Sequence, residues 1–135
     1  KLRVQNAASA KELQRLADEL QTHRKATIEE RIRRLMVLAQ IELFEQRVLE
    51  TASARAALIQ ETLSGAGESN ALIADVNEKI AETSLLLQEL KEDVRAKEID
   101  DKAMTEVRAT LKTATDTMRE VYKLFRAIAR ESKNL

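Results

Sequence analysis

The sequence predicts an all-α fold: a long antiparallel helical hairpin, or coiled coil, that assembles with a second copy into a four-helix bundle dimer. Three observations favour it. The 135 residues include no proline, so no residue forces a helix to break. Charged residues make up 34% of the chain and aromatic residues 2%, a balance typical of long helices. The two glycines, Gly65 and Gly67, lie near the midpoint, where they favour a reversal between two helical arms.

The first arm is predicted to run from about residue 9 to residue 63. Ser9 and Glu12 fit a capping box at its start. Between residues 41 and 63 one apolar stripe advances in steps of three and four, as one face of a helix does. Residues 35–38 and Leu43 place further apolar side chains on other sides of the same arm. A helix that is apolar around so much of its circumference normally has neighbours on more than one side.

We expect a turn over residues 64–70 and a second arm over residues 71–133. The second arm keeps a heptad pattern as far as Val94, lands on polar residues, and resets after Met104. It is therefore either one helix with a stammer or two helices that meet at a break near residues 97–102. All 135 residues are assigned to a single coiled-coil or helical-bundle region.

A single reversal at the glycines pairs residues whose numbers add to about 135. The polar segment 97–101 then lies opposite the apolar segment 34–38. Because that apolar segment lacks an apolar partner inside the hairpin, we expect it to pack on another copy or on a partner helix, with a dimer favoured. The residues predicted to form the core and the self-association surface are Leu35, Leu38, Ile41, Phe44, Val48, Leu87, Leu90, Val121 and Phe125.

The net charge is zero, but the charges are unevenly distributed. Residues 1–40 carry nine Lys/Arg and five Asp/Glu, residues 41–101 carry six and fourteen, and residues 102–135 carry eight and four. A hairpin would bring its two basic segments together at the open end. This end is suited to a polyanion such as an acidic filament or an anionic membrane surface. The candidate polyanion-binding residues are Arg24, Lys25, Arg31, Arg33, Arg34, Lys112, Arg119, Lys123, Arg126 and Arg130.

The basic residues can also be accounted for without such a ligand, in two ways. Lys and Arg commonly solvate the outside of a coiled coil and pair with Glu three or four positions away, as Glu30 is placed to do with Arg34. Alternatively, the basic end of one hairpin lies on the acidic half of another, and both charges are neutralised. Nucleic acid is the weaker polyanion candidate because no aromatic residues are interleaved with the basic ones.

The sequence predicts that the chain is not an enzyme and holds no cofactor or metal. It contains no cysteine and one histidine, His23, which excludes thiolate zinc sites and cysteine nucleophiles. It has no Glu-x-x-His motif of the four-helix di-metal proteins and no glycine-rich phosphate loop. No apolar run reaches the roughly 20 residues that a membrane span needs.

We therefore expect a non-enzymatic structural module that mediates self-association or binds partner helices, with polyanion binding at the basic end as the alternative. The sequence shows no signal-peptide pattern, which favours an intracellular location, cytoplasmic or cytoskeletal. It begins with Lys1 rather than Met, which favours a fragment of a longer protein.

Overall fold

The described part of the chain is helical throughout, apart from short connections, so the all-α prediction is confirmed. The structure is a computed structural model that describes residues 2–63 and 67–133, with side chains for residues 8–63 and 67–132. Its elements are α1 (Leu2–Phe44), a π-helical turn (Glu45–Leu49), α2 (Glu50–Thr62), α3 (Glu68–Ala96) and α4 (Asp101–Lys133). Phe44, Leu49 and Glu50 all have right-handed helical backbone angles. Therefore α1, the π turn and α2 form one continuous helix, named the long helix below.

The long helix and α3 run antiparallel. Lys91 Nζ lies 2.6 Å from Glu45 Oε1, and Asn77 Nδ2 donates to Gln60 Oε1 at 3.4 Å. The numbers in these pairs add to 136 and 137, close to the 135 expected for a reversal at the glycines. The turn itself is shorter than predicted, because α2 ends at Thr62 and residues 68–70 are already helical. Residues 64–66 lie outside the described residues.

α4 folds back along α3, and here the single-hairpin expectation is wrong. Lys79 Nζ lies 3.4 Å from Glu120 Oε2, and Ser69 Oγ donates to Glu131 Oε2 at 2.9 Å. These numbers add to 199 and 200, so α3 and α4 are antiparallel to each other. The second arm is therefore two helices, and the chain reverses a second time between them. The long helix, α3 and α4 pack as a helical bundle.

The second reversal, residues 97–100, is closed by local hydrogen bonds and one buried side chain. Lys97 has an extended backbone, with φ −114° and ψ 157°, and ends α3. Asp100 caps α4, since its carboxylate accepts the Ala103 N–H at 2.8 Å. Ile99 is 3% exposed and anchors the connection in the core. A break forms here without Gly or Pro because the Asp100 carboxylate satisfies a backbone N–H at the start of α4, while burial of Ile99 adds apolar stabilisation.

The π turn keeps the long helix facing α3 over its whole packed length. Phe44, Val48, Ala52 and Ala56 are buried or half-buried and follow one another at steps of four. In an ideal α-helix each step of four turns about 40° past a full turn. The Glu50 N–H bonds to the Glu45 carbonyl, the wider i to i+5 pattern of a π-helix. The additional residue in this turn offsets the rotation, so the buried side chains of the long helix continue to face α3.

The core lies between the packed part of the long helix, α3 and α4. Of the nine residues predicted for the core and self-association surface, five are buried in the core: Ile41, Leu87, Leu90, Val121 and Phe125. Three are half-buried against it: Leu38, Phe44 and Val48. Leu35 is 66% exposed. Eight of the nine predicted residues therefore belong to the core or pack against it, and Leu35 lies on an exposed surface of the long helix.

The long helix extends well past the bundle at its N-terminal end. It starts at Leu2 rather than near residue 9, and every side chain from residue 8 to residue 26 is exposed. Burial begins further along, with Val37 at 1% exposure. We name residues 8–32 the projecting segment. At 1.5 Å per residue it is about 38 Å long.

Candidate functional site

The long helix has a second apolar face, directed away from the bundle. We name it the outer face, and its exposed side chains are Ile28 (55%), Ile32 (51%), Leu35 (66%), Met36 (61%) and Leu43 (47%). At 3.6 residues per turn, the mean direction of these five side chains differs by about 170° from that of Val37 and Ile41, which face the core. The side of a bundle helix opposite its core is normally polar. The apolar outer face departs from this pattern and is therefore a candidate interaction surface.

Further apolar side chains line the projecting segment. Leu13, Leu16 and Leu20 are 67%, 46% and 60% exposed and follow one another at steps of three and four, as on one helix face. By contrast, Leu58 on α2 and Leu85 on α3 are exposed singly. Scattered exposed leucines are ordinary, whereas contiguous apolar patches mark interaction surfaces. The leucine row is centred about 120° around the helix from the outer face, so it is a separate row, and the candidate site is the outer face.

Charged residues of both signs flank the outer face. Arg24 and Glu42 lie on one flank, about 70° from its centre, and Glu29 and Arg47 lie equally far away on the other. All four side chains are exposed. A second copy laid parallel along the face opposes the two different flanks, so that Arg24 lies near the partner's Glu29 and Glu42 near the partner's Arg47. The outer face is therefore complementary to itself in charge as well as in hydrophobicity.

Two of the predicted polyanion-binding residues instead hold the second reversal. Arg34 Nη2 donates to Glu30 Oε1 at 2.7 Å and to the Lys97 carbonyl at 3.0 Å. Arg33 Nη1 donates to Asp101 Oδ1 at 3.4 Å. The Lys97 carbonyl follows the end of α3, where carbonyl groups lack helical partners. These arginines therefore tie the long helix to the α3–α4 connection.

The remaining predicted polyanion-binding residues do not form one basic end. Arg24, Lys25 and Arg31 are exposed on α1, on the N-terminal side of the contact with Asp101. α4 runs from that contact towards the opposite end of the bundle, where Glu131 meets Ser69. Arg130 lies 29 positions along α4 from Asp101, or about 44 Å. The basic residues of α4 therefore lie along the side of the bundle.

On α4 these residues form a stripe that sequence analysis did not recognise as such. We name it the basic stripe: Arg108, Lys112, Arg119, Lys123, Arg126 and Arg130, all exposed. Their spacing keeps all six within an arc of about 60°. Arg108, which was not predicted, belongs to the stripe by its spacing of four from Lys112. This spacing could have identified the stripe from the sequence. It was missed because the charges were grouped by the end of the expected hairpin.

α3 carries a matching stripe of the opposite sign. We name it the acidic stripe: Asp75, Glu78, Glu82, Glu89 and Glu92, of which all but the half-exposed Asp75 are exposed. At its edge, Lys79 lies 3.6 Å from Asp75 and 3.4 Å from Glu120. The hydrogen bond to Glu120 and the charge of Asp75 raise the pKa of Lys79 above 10.5. These two carboxylates thus stabilise the charged form of Lys79.

The described residues offer no arrangement for metal chemistry or for crossing a bilayer. Among residues 2–63 and 67–133, no three His, Cys, Asp or Glu side chains are grouped to hold a metal ion. His23 is exposed. Over the same part of the chain, no helix combines the length and apolar character that a membrane span requires.

We compared the chain with models of known protein families, with curated protein sequences and with solved structures, and none of them matches it.

Proposed function

We propose that the chain is a non-enzymatic structural module that self-associates through the outer face of the long helix, forming a coiled-coil dimer. The observation that carries this proposal is the contiguous apolar outer face, Ile28 to Leu43, at 47–66% exposure. Two long helices side by side make the dimer contact, and each copy keeps its own bundle. This replaces the arrangement of two paired hairpins expected from the sequence.

The energetics favour burial of this face. Fully burying a large aliphatic side chain contributes roughly 1.5–3 kcal/mol. The five outer-face residues are about half exposed already, so each contributes about 1 kcal/mol on association. This gain opposes the loss of translational and rotational freedom, at least about 4 kcal/mol.

A second copy fits this face better than an unrelated partner. Arg24, Glu42, Glu29 and Arg47 give each flank one charge of each sign, so an identical helix satisfies them. The chain's net charge of zero also removes the long-range repulsion that would oppose self-association. Self-complementarity of this kind is what a two-fold interface requires.

Polyanion binding remains the alternative function. The structure supports it less than the distribution of charges along the sequence did. It depended on two basic segments meeting at one end, and Arg33 and Arg34 are engaged with the α3–α4 connection. The basic stripe of α4 is a separate surface and is considered below.

The first test is the mass in solution of an outer-face variant. At about 0.5 M salt, where exposed charges are screened, we expect the wild-type chain to have about twice the monomer mass of 15.3 kDa by sedimentation equilibrium. Ile32→Gln/Leu35→Gln should weaken dimerisation at least about tenfold, since two buried aliphatic contacts are lost. The matched control is Leu58→Gln/Leu85→Gln, which changes two leucines of similar exposure away from the face. A monomeric wild type, or equal loss in the control, would refute the proposal.

A further inference from the structure

The acidic and basic stripes are similar in length and in periodicity. The acidic stripe extends from Asp75 to Glu92, about 26 Å, and the basic stripe from Arg108 to Arg130, about 33 Å. Both advance in multiples of three and four residues, so each follows one side of its helix. α3 as a whole carries seven Asp/Glu and three Lys/Arg, and α4 carries five and eight. The two helices therefore present straight ridges of opposite charge.

Within one copy the two stripes do not meet. α3 and α4 contact each other through their buried sides, which include Val76 and Leu87 on α3 and Met118 on α4. The centres of the stripes lie about 135–150° around each helix from those sides. One ion pair, Lys79 with Glu120, joins α3 to α4 among the described side chains. Both stripes thus remain open to a partner.

We propose that the basic stripe of α4 binds the acidic stripe of α3 on a second copy of the chain. Complementary charge and matched length favour this partner, and the pairing agrees with a net charge of zero. The contact joins two different surfaces, so it is heterologous and can be repeated from copy to copy. The observation behind it is independent of the outer face. Both contacts together would link dimers into larger assemblies.

Salt separates this contact from the outer-face contact. Charges on exposed side chains interact over a Debye length of about 10 Å at 0.1 M salt and about 3 Å at 1 M. The stripe contact therefore weakens as salt is added. The apolar contact persists, because burial of apolar surface does not depend on charge.

The experiment uses the full chain carrying Ile32→Gln/Leu35→Gln, so that the outer face does not contribute. We expect its weight-average mass to exceed the monomer value at about 0.02 M salt and to return to it at about 0.5 M. In this background Lys112→Glu/Lys123→Glu lowers the net charge of the basic stripe from +6 to +2, and Glu78→Lys/Glu89→Lys reduces that of the acidic stripe from −5 to −1. Each should therefore weaken low-salt association at least about tenfold. The control Lys11→Glu/Lys102→Glu makes the same charge change at exposed positions outside the stripes and leaves association intact.

Mixing the two stripe variants gives the decisive result. The first keeps an intact acidic stripe and the second an intact basic stripe, so the mixture should associate through one wild-type contact that neither variant can form alone. Recovery also shows that both variants are folded. Failure of the mixture to associate, or a monomeric mass at low salt before any charge change, overturns the proposal.

A polyanion partner is distinguished in the same samples. If Lys112→Glu/Lys123→Glu leaves the low-salt mass unchanged but abolishes binding to a DNA duplex or to phosphatidylserine vesicles, the stripe serves a polyanion and the proposal is wrong. Failure here leaves the outer-face dimer standing, because that dimer is measured at high salt in the wild-type chain.

Discussion

Leu35 and Ile41 lie six positions apart on the same helix, yet their side chains have opposite surroundings. Leu35 is 66% exposed and Ile41 is fully buried. Six residues turn an α-helix by about 240°, which carries a side chain from the outer face to the core. The role of a residue on the long helix therefore depends on the side it occupies, and substitutions meant to test association have to avoid the core side.

Alanine substitutions at these two positions should separate folding from association. Ile41→Ala should lower the free energy of unfolding by about 2–5 kcal/mol, because it leaves a cavity in the core. Leu35→Ala should change it by less than about 0.5 kcal/mol when the protein is dilute enough to be monomeric. Urea unfolding followed by circular dichroism measures both. A similar loss in the two variants would mean that Leu35 is not on a free surface.

Glu68 and Glu131 form a pair of like charges between the start of α3 and the end of α4. The hydrogen bond with Glu131 and its charge raise the pKa of Glu68 above 4.5. A carboxyl group with a raised folded-state pKa stabilises the fold below its unfolded pKa, and this contribution is lost as pH rises through the window up to the folded value. Glu131 also lies near the C-terminus of α4, where negative charge is unfavourable.

Removing that charge should therefore stabilise the protein only above this window. We expect Glu131→Gln to raise the melting temperature near pH 7 and to leave it unchanged near pH 3.5, below the raised pKa of Glu68, where the protonated Glu68 carboxyl no longer repels its neighbour. The control Glu106→Gln removes an exposed carboxylate further along the same helix and should show no such pH dependence. A difference that persists at low pH would contradict a like-charge origin.

At the scale of the helices, the sequence predicted the long helix and the second helical region because their apolar residues keep a regular period. The break between α3 and α4 was left open between a stammer and two helices. What decides it is tertiary: the burial of Ile99 and the bond from Arg34 to the Lys97 carbonyl. The periodicity of apolar residues predicts neither feature. The Arg34 bond joins residues more than 60 positions apart in the chain, and the burial of Ile99 depends on how the helices pack.

The Arg34 contact gives a direct test of that reversal. Arg34→Met should lower the free energy of unfolding by about 1–3 kcal/mol, since the Lys97 carbonyl and the Glu30 carboxylate lose a charged donor. Arg31→Met, three positions earlier and exposed, should have little effect. Chemical denaturation of both variants measures the difference. Equal stability would show that the reversal does not depend on Arg34.

At the scale of the whole molecule, the sequence pointed to an apolar surface in excess of what one chain can cover. It placed that surface at residues 34–38, by pairing them with 97–101. The structure divides the segment: Val37 is buried, Leu38 is half-buried, and Leu35 and Met36 are exposed. The pairing found the right region, but it could not tell the two sides of the helix apart without knowing where α3 and α4 pack. Ile28 and Ile32 were missed for the same reason.

Self-association along the outer face is the central claim, and one disulfide measures it most directly. The chain contains no cysteine, so Leu35→Cys introduces a single thiol midway along the length of the face. When two copies pack in register through this face, the two thiols lie at the same height in the interface, and a disulfide forms when their Cα atoms approach within roughly 4.4–6.8 Å.

Under mild oxidation in high salt, Leu35→Cys should form a covalent dimer rapidly and nearly completely, as judged by non-reducing electrophoresis. Leu58→Cys, at 64% exposure on α2, should react slowly and in proportion to collisions between free molecules. Equal rates for the two variants, or a Leu35→Cys protein that remains monomeric, would contradict association through the outer face.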